Sequence, residues 1–141
     1  LGRIIGIDLG LKRTGLAVTD PGQMIATPLT MVSTEKLLAF LKDYVNQEDV
    51  DGFVLGDPVK PDGTPTHTTE AVRSLTKKLR KKFPDKEVIL IDERFTTSLA
   101  MDAMLSGGTS RKYRRDKGNL DKISATIILQ SYLEQKSQRK K

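Results

Sequence analysis

The stretch Ile5-Gly6-Ile7-Asp8-Leu9-Gly10 sets one carboxylate inside an aliphatic run and brackets it with glycines. An ionised carboxylate among apolar side chains is costly unless it is paired or holds a cation. The glycines remove side-chain bulk where something must approach closely, a phosphate among the candidates. The Ile-rich segment Arg3 to Leu9 predicts a strand, and Gly10-Leu11-Lys12-Arg13 predicts the turn after it. Thr14 to Thr19 reads as a second strand, closed by Asp20-Pro21-Gly22, and Met24 to Val32 as a third. Links this short favour an antiparallel meander. The plainer reading of Asp8 is a strand end that faces solvent or pairs with Arg3 or Arg13.

Beyond Val32 the apolar period changes. Ser33 or Thr34 can cap a helix through Leu37, Leu38, Leu41 and Val45. Asp51 to Gly56 reads as a fourth strand, and Asp57 to Thr66 as a proline-rich loop. Thr69 to Phe83 is a basic amphipathic helix with Val72, Leu75, Leu79 and Phe83 on its inner face. Glu87 to Ile91 follows as a fifth strand. A helix capped by Thr96 or Thr97 ends at Gly107-Gly108. A last helix is expected from Leu120 to Glu134. The order β-β-β-α-β-α-β-α-α predicts an α/β fold, a mixed five-stranded sheet flanked by helices. Residues 1–134 are expected to form one domain, and 135–141 a disordered basic tail.

Composition narrows the chemistry. Of 141 residues, 24 are Lys or Arg and 18 Asp or Glu, a net charge of +6 that favours polyanionic partners. Cysteine is absent and His67 is the single histidine, which excludes disulfides, thiol nucleophiles and thiolate or histidine metal centres. A catalytic metal would therefore sit on oxygen ligands, which selects Mg²⁺ or Mn²⁺. No stretch resembles a signal peptide or a membrane span, so a cytoplasmic protein without a membrane partner is expected.

Two further acids stand where acids need a reason. Glu93 closes the fifth strand in Ile91-Asp92-Glu93-Arg94-Phe95-Thr96-Thr97, and strand C-termini are where ligands collect in α/β sheets. Successive strand residues face opposite sides, so Asp92 and Glu93 should not enter one site together; alternation alone does not choose between them. Asp121 heads the last helix on a stripe with Ala125, Ile128 and Tyr132, although an acid there also suits the helix dipole. Two carboxylates about 4 Å apart repel by about 4 kcal/mol at an effective dielectric near 20. Convergence of Asp8, Glu93 and Asp121 therefore calls for cations. Two divalent ions about 4 Å apart suit phosphodiester hydrolysis.

Gly6-Ile7-Asp8-Leu9-Gly10 with Arg13, Gly15, Ala17 and Asp20 resembles the opening motif of the YqgF family, also called RuvX. Asp92-Glu93-Arg94-Phe95-Thr96-Thr97 resembles its central motif, and Lys117 with Asp121, Ala125, Ile128 and Leu129 its closing one. Gly56, Pro58, Asp62-Gly63-Thr64 and Val72-Arg73 match the segment between. The resemblance implies a ribonuclease H-like fold and a metal-dependent nuclease, processing precursor 16S ribosomal RNA or resolving Holliday junctions. It implies Asp8, Glu93 and Asp121 as catalytic, metal-binding carboxylates. Two positions depart from the pattern: Asp57 stands where the family is usually apolar, and Ser124 where it usually has alanine.

Arg111, Lys112, Arg114, Arg115 and Lys117 form a basic loop before Asp121, suited to holding phosphates, with Tyr113 available to stack on a base. Arg13 and Arg94 lie close to the motifs and are the other candidates for nucleic-acid contact. His67 reads as a plain exposed residue. The partner is structured RNA or branched DNA. A junction resolvase making paired cuts would be expected to dimerise, whereas an RNA-trimming enzyme could work alone, so a monomer or a homodimer is expected. The competing reading is a non-catalytic nucleic-acid-binding domain of the same fold.

Overall fold

The computed structural model describes residues 2–58, 66, 68–92 and 117–139; side chains are described outside 117–123 and 138–139. The aliphatic run becomes β1 (Arg3–Asp8), followed by β2 (Arg13–Thr19) and β3 (Ala26–Ser33). After a short 3-10 turn come α1 (Leu37–Gln47), β4 (Val50–Asp57), α2 (Thr69–Lys82), β5 (Glu87–Asp92) and α3 (Lys117–Arg139). The strands form one sheet of order β3-β2-β1-β4-β5. The meander β1-β2-β3 is antiparallel, and β4 and β5 add in parallel to β1. The mixed five-stranded sheet expected from the sequence is therefore present. The helix expected from Thr96 to Gly107 lies outside the described residues.

Alternation along β1 splits the core in two. Ile5 and Ile7 face α1 and α2, where Leu37, Leu41, Val72, Leu75 and Leu79 pack with Phe53 and Leu55. The Phe53 and Phe83 rings meet at 5.3 Å between centroids. Ile4 faces the other way, toward α3, with Ala17, Val54, Ile91, Ala125, Ile128, Leu129 and Tyr132. Gly6 shares that second face. A Cβ on Gly6 would stand 2.9 Å from the Ala125 carbonyl oxygen and 2.9 Å from Leu129 Cβ. What approaches Gly6 is thus the backbone of α3. This corrects the expectation that the glycine makes room for a phosphate.

The direction of α3 follows from its contacts. Lys136 Nζ donates to Gln23 Oε1 at 2.7 Å, and Gln23 Nε2 donates to the Gly2 carbonyl at 2.8 Å and to Asp51 Oδ2 at 2.9 Å. The far end of α3 is therefore tied to the start of β1, whereas Ala125 and Leu129 lie over Gly6. The helix runs antiparallel to β1. Gln23 adopts φ 57° to make these bonds, in the β2–β3 turn. The same turn is organised by Asp20, whose carboxylate accepts the backbone N–H groups of Met24 and Ile25 at 2.8 Å and of Gly22 at 3.1 Å. Those N–H groups, Ile25's foremost, hold the Asp20 carboxyl below the usual carboxylate range.

Two expectations are corrected here. The last helix starts at Lys117 and continues to Arg139, so 135–139 are helical and not a loose tail. Lys136 explains the extension, since it anchors the added turns to Gln23 and stands 6.0 Å from the Tyr132 ring. Neither Ser33 nor Thr34 caps a helix through its side chain. Thr34 instead donates its hydroxyl to the Gly10 carbonyl at 2.7 Å, and its N–H to the Lys12 carbonyl at 2.9 Å. On the opposite edge of the meander, a register shift between Leu16 and Ala17 sets Pro28 opposite Ala17 in β3.

Gly6→Val should force α3 off the sheet and cost about 1–3 kcal/mol, as overpacking does. Urea denaturation of the two proteins measures the difference.

Candidate active site

Because β1, β4 and β5 are parallel neighbours, their C-terminal ends share one edge of the sheet, and each ends in an acid: Asp8, Asp57 and Asp92. The acids do not share a face. Asp8 lies two residues beyond Gly6 and so on the α3 side, half-buried, opposite Gly15 of β2. Asp57 and Asp92 are register partners in the β4–β5 ladder. Asp57 reaches the α2 side, where its Oδ2 stands 3.8 Å from Arg73 Nη2. Its Oδ1 is buried with no hydrogen-bond partner among the described residues. Asp92 therefore pairs with Asp57 on the face opposite Asp8, which the sequence left open.

The N-terminal turns of α3 arrive at the Asp8 end. From the crossing at Gly6, Asp8 lies two residues further along β1, about 7 Å. Asp121 lies four residues back along α3 from Ala125, about 6 Å in the same direction because the helix is antiparallel to the strand. Ala125, Ile128 and Tyr132, which share its stripe, are all buried against the sheet. For Asp121 and Lys117 the structure gives the helix position alone. Glu93, Arg94, Arg111, Lys112, Arg114 and Arg115 lie outside the described residues, as do His67 and Tyr113.

Arg13 is exposed at the first position of β2, two residues from Gly15 and so beside Asp8 in the hairpin. Arg3 is occupied at the far end of the strand: it stands 3.5 Å from Glu48 and donates to the Thr19 carbonyl at 3.0 Å. Ser124 is exposed and leaves the helix packing to Ala125, which is fully buried. The part of the site that sequence reasoning missed is the Thr34 clamp on the β1–β2 turn. Only the folded chain brings Thr34 to Gly10, and Thr34 beside a helix start carries the signature of a cap.

A sheet of this order, with the central strand ending in an acid and helices on both faces, defines the ribonuclease H-like α/β class. The fowlpox virus Holliday junction resolvase shares the fold, with a TM-score of 0.55 at 14% identity, over 94% of this chain and 99% of that one. The chain belongs to the RuvX family, described as Holliday junction resolvase, whose profile matches residues 2–135. It is similar to a protein of Amoebophilus asiaticus, 48% identical over 133 residues and 94% of each chain. A Flavobacterium johnsoniae protein is 46% identical over 134 residues, 95% of this chain and 97% of the other. Both relatives carry the proposed name pre-16S rRNA nuclease. The family is one of nucleases, enzymes that hydrolyse phosphodiester bonds.

The opposed faces make a prediction for the acid that departs from the family pattern. Asp57→Asn removes both a charge beside Asp92 and the ion pair with Arg73, opposing effects of similar size, so stability should stay within about 0.5 kcal/mol of the parent. Urea denaturation reads this.

Proposed function

We propose that the chain is a cytoplasmic, metal-dependent nuclease of structured nucleic acid, with Asp8, Glu93 and Asp121 as its metal-binding carboxylates. The observation that carries the reading is the placement of Asp8: a half-buried acid ends the central strand where the helix bearing Asp121 begins. Alternation supports Glu93 over Asp92 as the third ligand, because Asp92 shares its face with Asp57. The names of relatives at 46–48% identity favour precursor 16S ribosomal RNA as substrate.

The donor set fits a hard divalent cation, Mg²⁺ or Mn²⁺: all three side chains are carboxylates, and the chain has no cysteine and one histidine. Such an ion would supply Lewis acidity, polarising the phosphate and easing deprotonation of an attacking water. The protein's own part is positional. The backbone of Asp8 is fixed by a strand whose preceding residues are buried on both faces, so little main-chain ordering is needed when substrate arrives. Arg13 offers a guanidinium beside it for a phosphate oxygen, and Arg94, Arg111, Lys112, Arg114, Arg115 and Lys117 add the cations that draw a polyanion to an acidic site. A non-catalytic binding domain would gain nothing from three acids in a site meant for phosphate.

The test is one cleavage panel: precursor 16S RNA, a four-way DNA junction and linear duplex DNA, each with Mg²⁺, with Mn²⁺ and with chelator. Metal-dependent cutting of the RNA is expected. Asp8→Asn should lose at least about 100-fold in rate while keeping its melting temperature, since loss of a direct ligand costs no less than loss of a residue supporting one. Cutting of the junction alone would move the substrate to branched DNA, and binding without cutting would support the non-catalytic reading. If the ion binds the folded chain ahead of substrate, Mg²⁺ at about 100 times its dissociation constant should add about 2.7 kcal/mol of stability. Thermal melting measures that independently of activity.

A further inference from the structure

Leu11 sits 65% exposed in the β1–β2 turn, between the strand that ends in Asp8 and the exposed cations Lys12 and Arg13. We propose that Leu11 is a wedge that enters the base stack beside the phosphate held at Asp8, with Lys12 and Arg13 gripping the neighbouring phosphates. The proposal deepens the nuclease reading and rests on it for the position of that phosphate.

The turn is built to hold its residues still. A Cβ on Gly10 would run into the Arg13 carbonyl oxygen, so the turn closes only around glycine. Thr34 grips it from outside, its hydroxyl on the Gly10 carbonyl at 2.7 Å and its N–H on the Lys12 carbonyl at 2.9 Å. The buried Thr14 hydroxyl lies 2.9 Å from that of Thr34 and braces it. Leu11 is thus the projecting tip of a turn pinned on both sides. A projection already in place loses little conformational freedom on insertion.

Reach and charge agree. Leu11 follows Asp8 by three residues, which limits their Cα separation to about 11 Å at 3.8 Å per step. That is close enough to meet a base adjoining a phosphate at Asp8. Proteins that open a base step insert an apolar side chain and hold the backbone on either side with cations. Among the described residues, Met24 and Ile25 are the other strongly exposed large apolar side chains. They lie on the β2–β3 turn at the opposite end of the sheet, after Asp20, Pro21, Gly22 and Gln23, with no Lys or Arg beside them in sequence. Leu11 alone of the three combines exposure, flanking cations and nearness to Asp8. Such a wedge would steer cutting to places where bases unstack easily, such as the boundary between single and paired strands.

The test uses the full chain with Ca²⁺ in place of Mg²⁺, a hard cation that carboxylates bind, and reads the probes before any cutting. The probes are an RNA hairpin with a single-stranded tail, carrying 2-aminopurine at the last paired position, and the DNA hairpin of the same sequence. 2-Aminopurine brightens when its stacking is broken. Binding of the unaltered chain should brighten at least one probe. Leu11→Ser should abolish the brightening at saturation while changing affinity by no more than about threefold, because phosphate contacts dominate affinity. Leu11→Met should retain it. Lys12→Ala should weaken binding and lower the salt slope by about one, with brightening at saturation intact. Melting temperatures of the variants should match the parent, since Leu11 is exposed.

The wedge is overturned if Leu11→Ser brightens the probe as fully as the parent, if the parent saturates both probes without brightening either, or if it binds neither. Failure of the nuclease reading looks different: brightening that depends on Leu11, with no cutting of any substrate when Mg²⁺ or Mn²⁺ replaces Ca²⁺. Metal-dependent cutting without brightening removes the wedge and leaves the nuclease.

Discussion

Everything at the candidate site depends on one close contact, the passage of α3 across β1 at Gly6. Helix backbone and strand backbone approach so nearly there that no side chain fits between the Ala125 carbonyl and Gly6. The contact fixes three things together. It sets the height of α3 above the sheet, the register of its buried stripe against Ile4, Ala17 and Val54, and the place where its first turns emerge. Gln23, bonded to Gly2, Asp51 and Lys136, fixes the other end of the same helix. With two points held, the position of the Asp121 turn relative to Asp8 follows from helix and strand geometry.

The sheet also sorts charge. Three parallel strands deliver three acids to one edge, yet the pleat sends Asp8 to one face and the Asp57–Asp92 pair to the other. A backbone thickness therefore separates two groups of carboxylates that would otherwise repel within one site. Arg73 stands by Asp57, while α3 packs over the face to which Asp8 belongs. The positive net charge of the chain and the acidity of this edge are complementary, since cations elsewhere on the surface offset the repulsion an acidic edge exerts on a polyanion.

Much of this was legible in the sequence, and for local reasons. Runs of about five to nine residues bounded by turns or helices announce all five strands, and the 3.6-residue period announces α1 and α2. The order of elements then constrained the sheet, since strands separated by a helix pair in parallel and those joined by short turns do not. The failures were all non-local. Gly6 reads as space for a ligand because nothing in the sequence pairs it with Ala125. Thr34 carried the signature of a cap and instead clamps Gly10, 24 positions away. The end of α3 was placed at Glu134 because the residues after it are polar, whereas the Lys136–Gln23 bond spans 113 positions. The three acids were visible as costly residues. That Asp92 stands on the face of Asp57 and not of Asp8 required the registers of β4 against β1 and β5, which the sequence cannot supply.

The register shift at Leu16–Ala17 and Pro28 beside it shape the outer strand of the meander. A strand at the rim of a sheet presents unused N–H and C=O groups to any passing extended chain, and proline is tolerated there because the N–H it lacks would point outward. In β3 the row of donors is interrupted at Pro28, and the shift in register adds local twist. An incoming strand would find a broken ladder. The protein thereby keeps one rim of its sheet from growing through backbone chemistry alone, without placing charge there for the purpose.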